Sequence, residues 1–215
     1  PKTERFPPSK MILVGNPVRK EIFEGSPEEA RELFQAASQK PVILFLGGSQ
    51  GAQRINELVL NVLPDLLQEF EVIHQVGEKN FASFKAEADI TCPAELKDTY
   101  HPFPFLREEE VKQAYALADM IVGRAGAGTI FEIAAVGRPS ILIPLPEAAQ
   151  GHQVKNAYAY AAEGAAIVME EGNFTPNFFL EKLKALFTQP LELEKMSRAA
   201  SKFAQPEAAR LIANS

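Results

Sequence analysis

Short runs of aliphatic and β-branched residues recur along this chain, and stretches with helical spacing separate them. The runs are MILVG from Met11, VILFLGG from Val42, EVIHQVG from Glu71, ADMIVG from Ala118, SILIPLP from Ser140 and AAIVME from Ala165. Continuous apolar runs of this length are typical of strands that are buried on both faces of a sheet. Strands that alternate with helices pair in parallel through right-handed crossovers, so the sequence predicts a doubly wound α/β sheet.

Capping signals mark several helix ends between these strands. Ser26 is followed by a proline and by Glu29, which is placed for a capping box, so we expect a helix from about Pro27 to Ala37. Thr175 and the proline after it repeat this arrangement. Pro64 is expected to break or kink the long helix after the Val42 strand. A further strand is expected within Thr99–Phe105.

Composition limits the classes of partner and cofactor. Of 215 residues 46% are hydrophobic, which is enough for a buried core. The 22 Lys and Arg against 28 Asp and Glu give a net charge of -6 without a long basic run, so nucleic acid is not expected as a partner. Cys92 is the only cysteine, which excludes an intrachain disulfide and a cysteine-rich metal cluster. No D-x-D pair is present that would hold a metal ion.

Two glycine-rich turns lie between a predicted strand and a predicted helix, where open α/β sheets bind ligands. The first is LGGSQGAQ, Leu46–Gln53, which lacks the Lys-Ser/Thr pair of a P-loop. Its free amides, the Ser49 hydroxyl and the following helix start could still hold a phosphate. Glycine-rich turns of this kind also occur without any ligand, because a helix must start close to the strand before it. This purely structural alternative remains open from the sequence.

The second turn is GRAGAGTIFE, Gly123–Glu132. If Gly126 and Gly128 began a G-x-G-x-x-G motif, Phe131 would occupy the place of its third glycine, which disfavours a nicotinamide oxidoreductase. Thr129 can meet a phosphate instead, and the Glu132 carboxylate, about one turn into the helix, could accept from the two hydroxyls of a ribose. The pattern therefore favours a nucleotide diphosphate.

Two further segments carry polar candidates. In PLPEAAQGHQVKNA, His152, Gln153 and Asn156 crowd a helix start, where they could bind sugar hydroxyls. In VGNPVRK, Arg19 follows a turn signal and could grip a diphosphate. Taken alone, such a histidine is more often a surface or capping residue, and such an arginine is more often solvated or salt-bridged.

Four ordered segments, GNPVR, LGGSQGA, ADMIVGRAGAGTIFEIAAVGRPSILIPLP and HQVKNA, together resemble the carboxyl-terminal half of the MurG glycosyltransferases of family 28. The resemblance covers nearly the whole chain from Val14. It implies a Rossmann-like domain that forms one half of a GT-B fold. It also implies inverting transfer of N-acetylglucosamine from UDP-N-acetylglucosamine to undecaprenyl-diphospho-muramoyl-pentapeptide, which converts lipid I to lipid II in peptidoglycan synthesis.

The resemblance further implies a role for individual residues. It assigns Arg19 and Ser49 to the diphosphate, the backbone of Leu106 to uracil, and Glu132 to the ribose. The loop of residues 127–129 would bind the diphosphate as well, and the His152 region would contact the sugar. The implied donor contacts are Arg19, Ser49, Gln50, Leu106, Ala127, Gly128, Thr129, Glu132, His152, Gln153 and Asn156.

The same resemblance implies the partners and the domain organisation. The lipid acceptor, the membrane surface and the general base would belong to an amino-terminal domain, and the full-length protein would lie on the cytoplasmic face of the bacterial cell membrane. No cofactor or metal is expected. The chain opens PKTERFPPSKM, without an initiator Met, and we expect it to be a piece that is inactive by itself. Residues 1–18 would form an interdomain connector, 19–200 the UDP-sugar-binding domain, and 201–215 a helix that returns to the other domain.

Two alternatives remain open from the sequence. One is another GT-B enzyme that uses a UDP-sugar, either a glycolipid glycosyltransferase or a UDP-sugar epimerase. The other is a non-catalytic nucleotide-sugar-binding module that needs a partner domain.

Overall fold

A six-stranded parallel sheet forms the centre of the molecule. The computed structural model describes residues 15–47, 52–146, 151–205 and 208. The strands lie in the order β3-β2-β1-β4-β5-β6, and each pairs in parallel with its neighbours. Their bounds are β1 Val42–Leu46, β2 Glu71–Gln75, β3 Tyr100–Phe103, β4 Met120–Gly123, β5 Ser140–Leu142 and β6 Ala166–Val168. This order confirms the predicted doubly wound, Rossmann-like sheet.

Helices connect the strands and cover both faces of the sheet. Their bounds are α1 Pro27–Phe34, α2 Gln53–Glu69, α3 Phe81–Thr91, α4 Glu108–Leu117, α5 Ala127–Ala135, α6 His152–Ala162, α7 Pro176–Phe187 and α8 Pro190–Phe203. Two 3₁₀ segments, Lys20–Glu24 and Ala94–Thr99, precede α1 and β3. Within the described ranges, no helix is long and apolar enough to cross a membrane.

Five of the six predicted apolar runs are strands, and the strand expected within Thr99–Phe105 is β3. The run that begins at Met11 lies outside the described residues, apart from its final glycine. The strand residues alternate between two cores. Ile43 and Phe45 of β1 pack with α2 and α7, whereas Val42, Leu44 and Leu46 pack with α4, α5 and α6. Burial on both faces explains why these strands read as continuous apolar runs.

The start of α1 differs from the predicted capping box. The Ser26 hydroxyl accepts from the backbone N–H of Glu29 at 3.4 Å, as expected. The Ser26 N–H, however, donates to Gln113 Oε1 of α4 at 2.8 Å, and Gln113 Nε2 donates to the Glu29 carboxylate at 2.7 Å. A buried glutamine therefore takes the place of the reciprocal contact and joins α1 to α4.

One predicted helix boundary is corrected, and of the break or kink expected at Pro64 the break does not occur, while the kink stays a prediction. The first helix ends at Phe34 instead of Ala37, because Gln35 adopts a left-handed conformation (φ 56°) in which its N–H caps the last turn. The long helix α2 does not break at Pro64. Pro64 removes one backbone hydrogen bond, but the buried side chains of Leu63, Leu66 and Leu67 continue the apolar stripe past it.

The last described helix packs on the domain itself. Phe203 of α8 lies against Phe131 and Tyr160, with ring centroids 5.4 and 4.9 Å apart. The ring at position 131 thus fills a contact between α5 and α8. The predicted domain boundary at residue 200 falls inside α8 and stays a prediction, and most of 201–215 lies outside the described residues.

Candidate functional site

The two glycine turns begin at neighbouring strands. β1 and β4 pair directly, with Leu46 opposite Gly123, and the strand order reverses between them. In open α/β sheets this switch point opens a crevice at the carboxyl ends of the strands. Gly123 permits the close approach, because a Cβ at this position would lie 3.1 Å from the Leu46 carbonyl oxygen. Residues 48–51, which include the candidates Ser49 and Gln50, lie outside the described residues.

A cavity of about 400 Å³ opens beside this switch point, between the starts of α4 and α5. Four of the candidates line it. The lining residues are Arg19, Leu46, Gln75, Phe105, Leu106, Arg107, Glu108, Val111, Tyr115, Arg124, Thr129 and Glu132. The cavity therefore brings together residues that are as far apart in sequence as positions 19 and 132.

The start of α5 is free of capping side chains. Gly126 is its N-cap residue and makes no side-chain cap hydrogen bond. Ala127 and Gly128 are exposed, and Thr129 is half-buried at the cavity wall. The first backbone N–H groups of a helix have no partner within the helix, and the helix dipole places partial positive charge there. This helix start can therefore receive an anionic group such as a phosphate.

Glu132 is held by two different groups. Its Oε1 accepts from the guanidinium of Arg19 at 3.2 Å, and its Oε2 accepts from the Tyr115 hydroxyl at 2.9 Å. Tyr115 is buried in α4, and burial together with the charge of Glu132 raises the pKa of its hydroxyl well above the usual range. The hydroxyl consequently keeps its proton and acts as a donor to the carboxylate.

The predicted base-recognition residue lies in the loop between β3 and α4. Leu106 is buried, and its N–H donates to the side-chain Oε1 of Gln75 at 3.1 Å. Arg107 follows at the cap of α4, where its N–H donates to Glu110 at 2.6 Å. The Leu106 N–H is thus already engaged, so of the two backbone groups of Leu106 the carbonyl is the one to consider as a contact for a ligand.

The three polar candidates of α6 are not among the residues that line the cavity. His152 is exposed at the first position of the helix. Gln153 Oε1 accepts from the Leu145 N–H at 3.1 Å, and Asn156 Nδ2 donates to the Ala125 carbonyl at 3.4 Å. Through these hydrogen bonds, Gln153 connects α6 to the loop after β5, and Asn156 connects it to the glycine turn before α5.

Three residues at this site were not singled out from the sequence: Gln75, Tyr115 and Arg124. Arg124 donates to the Ile143 carbonyl at 3.1 Å and forms an ion pair with Glu171, so it links the ends of β4 and β5 to the loop after β6. Its position inside the glycine stretch GRAGAGT was a usable signal. Gln75 and Tyr115 lie within apolar elements and read as ordinary core positions.

No group of three or more His, Cys, Asp or Glu side chains is placed to hold a metal ion among the residues that the structure describes.

An all-parallel sheet in this order, with glycine turns at its switch point, defines a Rossmann-like domain of the kind that forms one half of GT-B proteins. The model of the glycosyltransferase family 28 C-terminal domain matches residues 42–212, and the chain belongs to this family. The match covers β1 to α8 and therefore includes both glycine turns.

Curated relatives and solved structures agree with this assignment. Two relatives, from Pseudomonas syringae pv. syringae and Treponema denticola, bear the name UDP-N-acetylglucosamine--N-acetylmuramyl-(pentapeptide) pyrophosphoryl-undecaprenol N-acetylglucosamine transferase. The first is 41% identical over 208 residues, covering 96% of this chain and 55% of the relative. The second is 34% identical over 214 residues, covering 96% and 54%. The chain thus spans about half the length of the curated relatives it matches.

The crystal structure of Acinetobacter baumannii MurG superposes with a TM-score of 0.71 at 30% identity, covering 99% of this chain and 57% of that one. A UDP-GlcNAc 2-epimerase from Neisseria meningitidis, solved with UDP-GlcNAc bound, superposes with a TM-score of 0.61 at 14% identity, covering 87% of this chain and 47% of that one. At this low identity the second likeness concerns the fold alone.

Proposed function

We propose that this chain is the donor-binding half of an inverting glycosyltransferase that uses UDP-N-acetylglucosamine. The whole protein would transfer N-acetylglucosamine to undecaprenyl-diphospho-muramoyl-pentapeptide and so convert lipid I to lipid II in peptidoglycan synthesis. Family membership and the shared name of the relatives support this reaction. The observation that carries the donor assignment is the single cavity that joins Leu106, Glu132 and the start of α5.

Each part of a uridine diphosphate finds a suitable group in this cavity. The Leu106 carbonyl could accept from the N3–H of uracil, a hydrogen that cytosine lacks. The Glu132 carboxylate could accept from the two ribose hydroxyls. The uncapped amides of residues 127–129, the Thr129 hydroxyl and the Arg19 guanidinium would hold the diphosphate. Ser49 and Gln50 would add contacts from the first glycine turn, and His152, Gln153 and Asn156 would contact the sugar.

These groups would also assist the chemical step. In an inverting transfer the acceptor hydroxyl attacks the anomeric carbon, the glycosidic bond to phosphate breaks, and negative charge develops on the departing UDP. Helix-start amides and an arginine that already lie at the diphosphate stabilise this charge without reorganisation. The general base that takes the acceptor proton would come from the amino-terminal domain. No step needs a metal ion, so we expect turnover to persist in EDTA.

The lipid acceptor and the membrane surface would likewise be met through that domain. We propose that the full-length protein acts on the cytoplasmic face of the bacterial cell membrane as a peripheral protein.

Calorimetry on the 215-residue chain tests the donor assignment. We expect UDP and UDP-N-acetylglucosamine to bind, and CDP to bind at least about tenfold more weakly, because its N3 cannot donate to the Leu106 carbonyl. Absence of UDP binding at millimolar concentration to a folded sample would contradict the proposal. Equal affinity for UDP and CDP would contradict the role of Leu106.

Substitution of Glu132 by Ala tests the ribose contact. We expect a loss of UDP affinity of about tenfold or more, because the ribose hydroxyls lose their acceptor, and an affinity for inorganic diphosphate that is unchanged or stronger, because Arg19 also loses its carboxylate partner. Glu87→Ala, on the exposed face of α3, is the matched control and should change neither affinity. Equal losses for UDP and diphosphate in the Glu132 variant would remove the ribose role.

The chain spans about half the length of its relatives, and we expect the transfer reaction to need an amino-terminal half like theirs as well. A polypeptide that joins this chain to the amino-terminal half of the Pseudomonas syringae relative should convert lipid I to lipid II, whereas the chain alone should not. A folded fusion that binds UDP-N-acetylglucosamine but produces no lipid II would contradict the proposed reaction. That result would support the alternative of a non-catalytic nucleotide-sugar-binding module.

A further inference from the structure

The two partners of the Glu132 carboxylate differ in how firmly they are placed. Tyr115 is 1% exposed, and its hydroxyl reaches Oε2 from the buried face of α4. Arg19 lies on the other side, with 48% of its side chain exposed, and reaches Oε1 at 3.2 Å. One oxygen is therefore held from inside the protein, and the other is held by a group at the surface of the cavity.

Tyr115 can act only as a fixed donor. A carboxylate is an acceptor at both oxygens, so the tyrosine hydroxyl must donate, and the ring is surrounded by the buried side chains of its core cluster. A carboxylate with one oxygen held in this way cannot rotate freely about its last bond. Its remaining acceptor positions then point in a constant direction, towards the cavity that Glu132 lines.

Arg19 can leave without cost to the core. It precedes the 3₁₀ segment Lys20–Glu24 and contacts Glu132 through a single guanidinium nitrogen. An exposed ion pair of this kind contributes little to stability because solvent screens it. A nucleoside diphosphate offers a better partner to each side, since its phosphates attract the guanidinium and its ribose hydroxyls donate to the carboxylate.

We infer that Tyr115 is a positioning residue that fixes Glu132 for a ribose, and that Arg19 is its exchangeable partner, which moves from the carboxylate to the diphosphate when a nucleotide binds. The inference rests on the proposed nucleotide site. It adds to that site a residue that touches no part of the ligand, and an ion pair that a bound nucleotide replaces.

The test compares two ligands in calorimetry, UDP and 2′,3′-dideoxyuridine diphosphate, which lacks the ribose hydroxyls. Tyr115→Phe removes only the hydroxyl. The variant should lower the affinity for UDP about tenfold and the affinity for the dideoxy ligand less than about twofold. The lost hydrogen bond positions the Glu132 carboxylate, and only a ligand with ribose hydroxyls uses that carboxylate. Equal losses for both ligands would mean a merely structural role and would overturn the inference.

Tyr158→Phe is the matched control. Tyr158 also donates to a glutamate, Glu170, at 2.7 Å, but it lies exposed on α6, so its variant should bind both ligands like the wild-type chain. A second measurement removes effects on folding. In a Glu132→Gln background, Tyr115→Phe should cost no further UDP affinity, whereas an equal cost in both backgrounds would contradict positioning through Glu132.

Arg19→Gln tests the exchange. It should weaken UDP, because the diphosphate loses its arginine, and should leave uridine binding unchanged or stronger in an NMR titration, because Glu132 is then free. A loss of uridine affinity would overturn the exchange.

Failure of the inference and failure of the proposed function remain distinguishable. If wild-type chain binds UDP no better than the dideoxy ligand, the ribose site itself is wrong. If the wild-type chain prefers UDP to the dideoxy ligand but Tyr115→Phe lowers the affinity for both ligands equally, only the positioning role of Tyr115 is wrong.

Discussion

A buried histidine in β2 makes the stability of this domain depend on pH. His74 of β2 is fully buried between Asn56 and Tyr100, at 3.1 and 2.9 Å. The Asn56 amide nitrogen donates to the Val76 carbonyl, so its Oδ1 is free to accept from His74 Nε2–H, and the Tyr100 hydroxyl donates to Nδ1. Both ring nitrogens are hydrogen-bonded in the neutral form, and burial, which disfavours the charged ring, lowers the pKa of His74 to about 3.

The magnitude follows from proton linkage. Above pH 6.5 His74 is neutral in both the folded and the unfolded chain and costs nothing. Between pH 6.5 and the folded pKa of about 3, only the unfolded chain binds the proton, so the free energy of unfolding falls as pH falls. At about 1.4 kcal/mol per pH unit, this residue alone removes about 3 kcal/mol by pH 4.

Urea unfolding followed by circular dichroism between pH 7.5 and pH 4 measures this loss, and His74→Gln provides the comparison. Acidification also removes a contribution of Glu71 to the free energy of unfolding. Burial raises the pKa of Glu71, but hydrogen bonds from His101 and Ser38 outweigh burial and hold that pKa below its usual value. The Glu71 contribution is common to both proteins and cancels in the difference. Between pH 7.5 and pH 4, the free energy of unfolding of the wild-type chain should therefore fall by about 3 kcal/mol more than that of the His74→Gln variant. Parallel profiles would refute the argument that His74 is held neutral.

Two further predictions concern the frame of the site. Gln75→Leu leaves the buried Leu106 N–H without an acceptor and should lower the free energy of unfolding by about 1–3 kcal/mol in urea unfolding. The control Gln53→Leu, at an exposed position, should cost less than about 0.5 kcal/mol. Equal effects of the two substitutions would contradict the contact between Gln75 and Leu106. Gly123→Ala forces a Cβ against the Leu46 backbone and should cost about 1–3 kcal/mol, whereas Gly172→Ala, with nothing within 4 Å, should be neutral in the same assay. A neutral Gly123→Ala would contradict the close approach of β4 to β1.

The elements predicted correctly carry their signal locally. A strand buried on both faces is a continuous apolar run, and a helix start such as Thr175 carries its own cap, which accepts from the Phe178 N–H at 3.2 Å. Thr129 and Glu132 also rest on a local signal, because their spacing from the glycine turn predicts their positions on α5, and their contacts with a nucleotide stay a prediction. The end of α1 was missed because Gln35 has none of the glycine character that usually marks a left-handed cap.

The missed site residues depend on long-range register. Gln75, at the end of β2, meets Leu106 across 31 positions, and Tyr115 of α4 meets Glu132 of α5 across 17, so both contacts depend on how separate elements pack. Within its own helix, Tyr115 is one of several buried residues on an apolar face. Only the position of α4 beside α5 turns its hydroxyl into a contact with the site.

A crystal structure of the chain with UDP would show where the nucleotide binds. We expect the diphosphate to lie on the backbone N–H groups of residues 127–129 with Arg19 beside it, the ribose on Glu132, and uracil on the Leu106 carbonyl. Density for UDP elsewhere on the molecule, or a diphosphate that avoids the start of α5, would contradict this expectation.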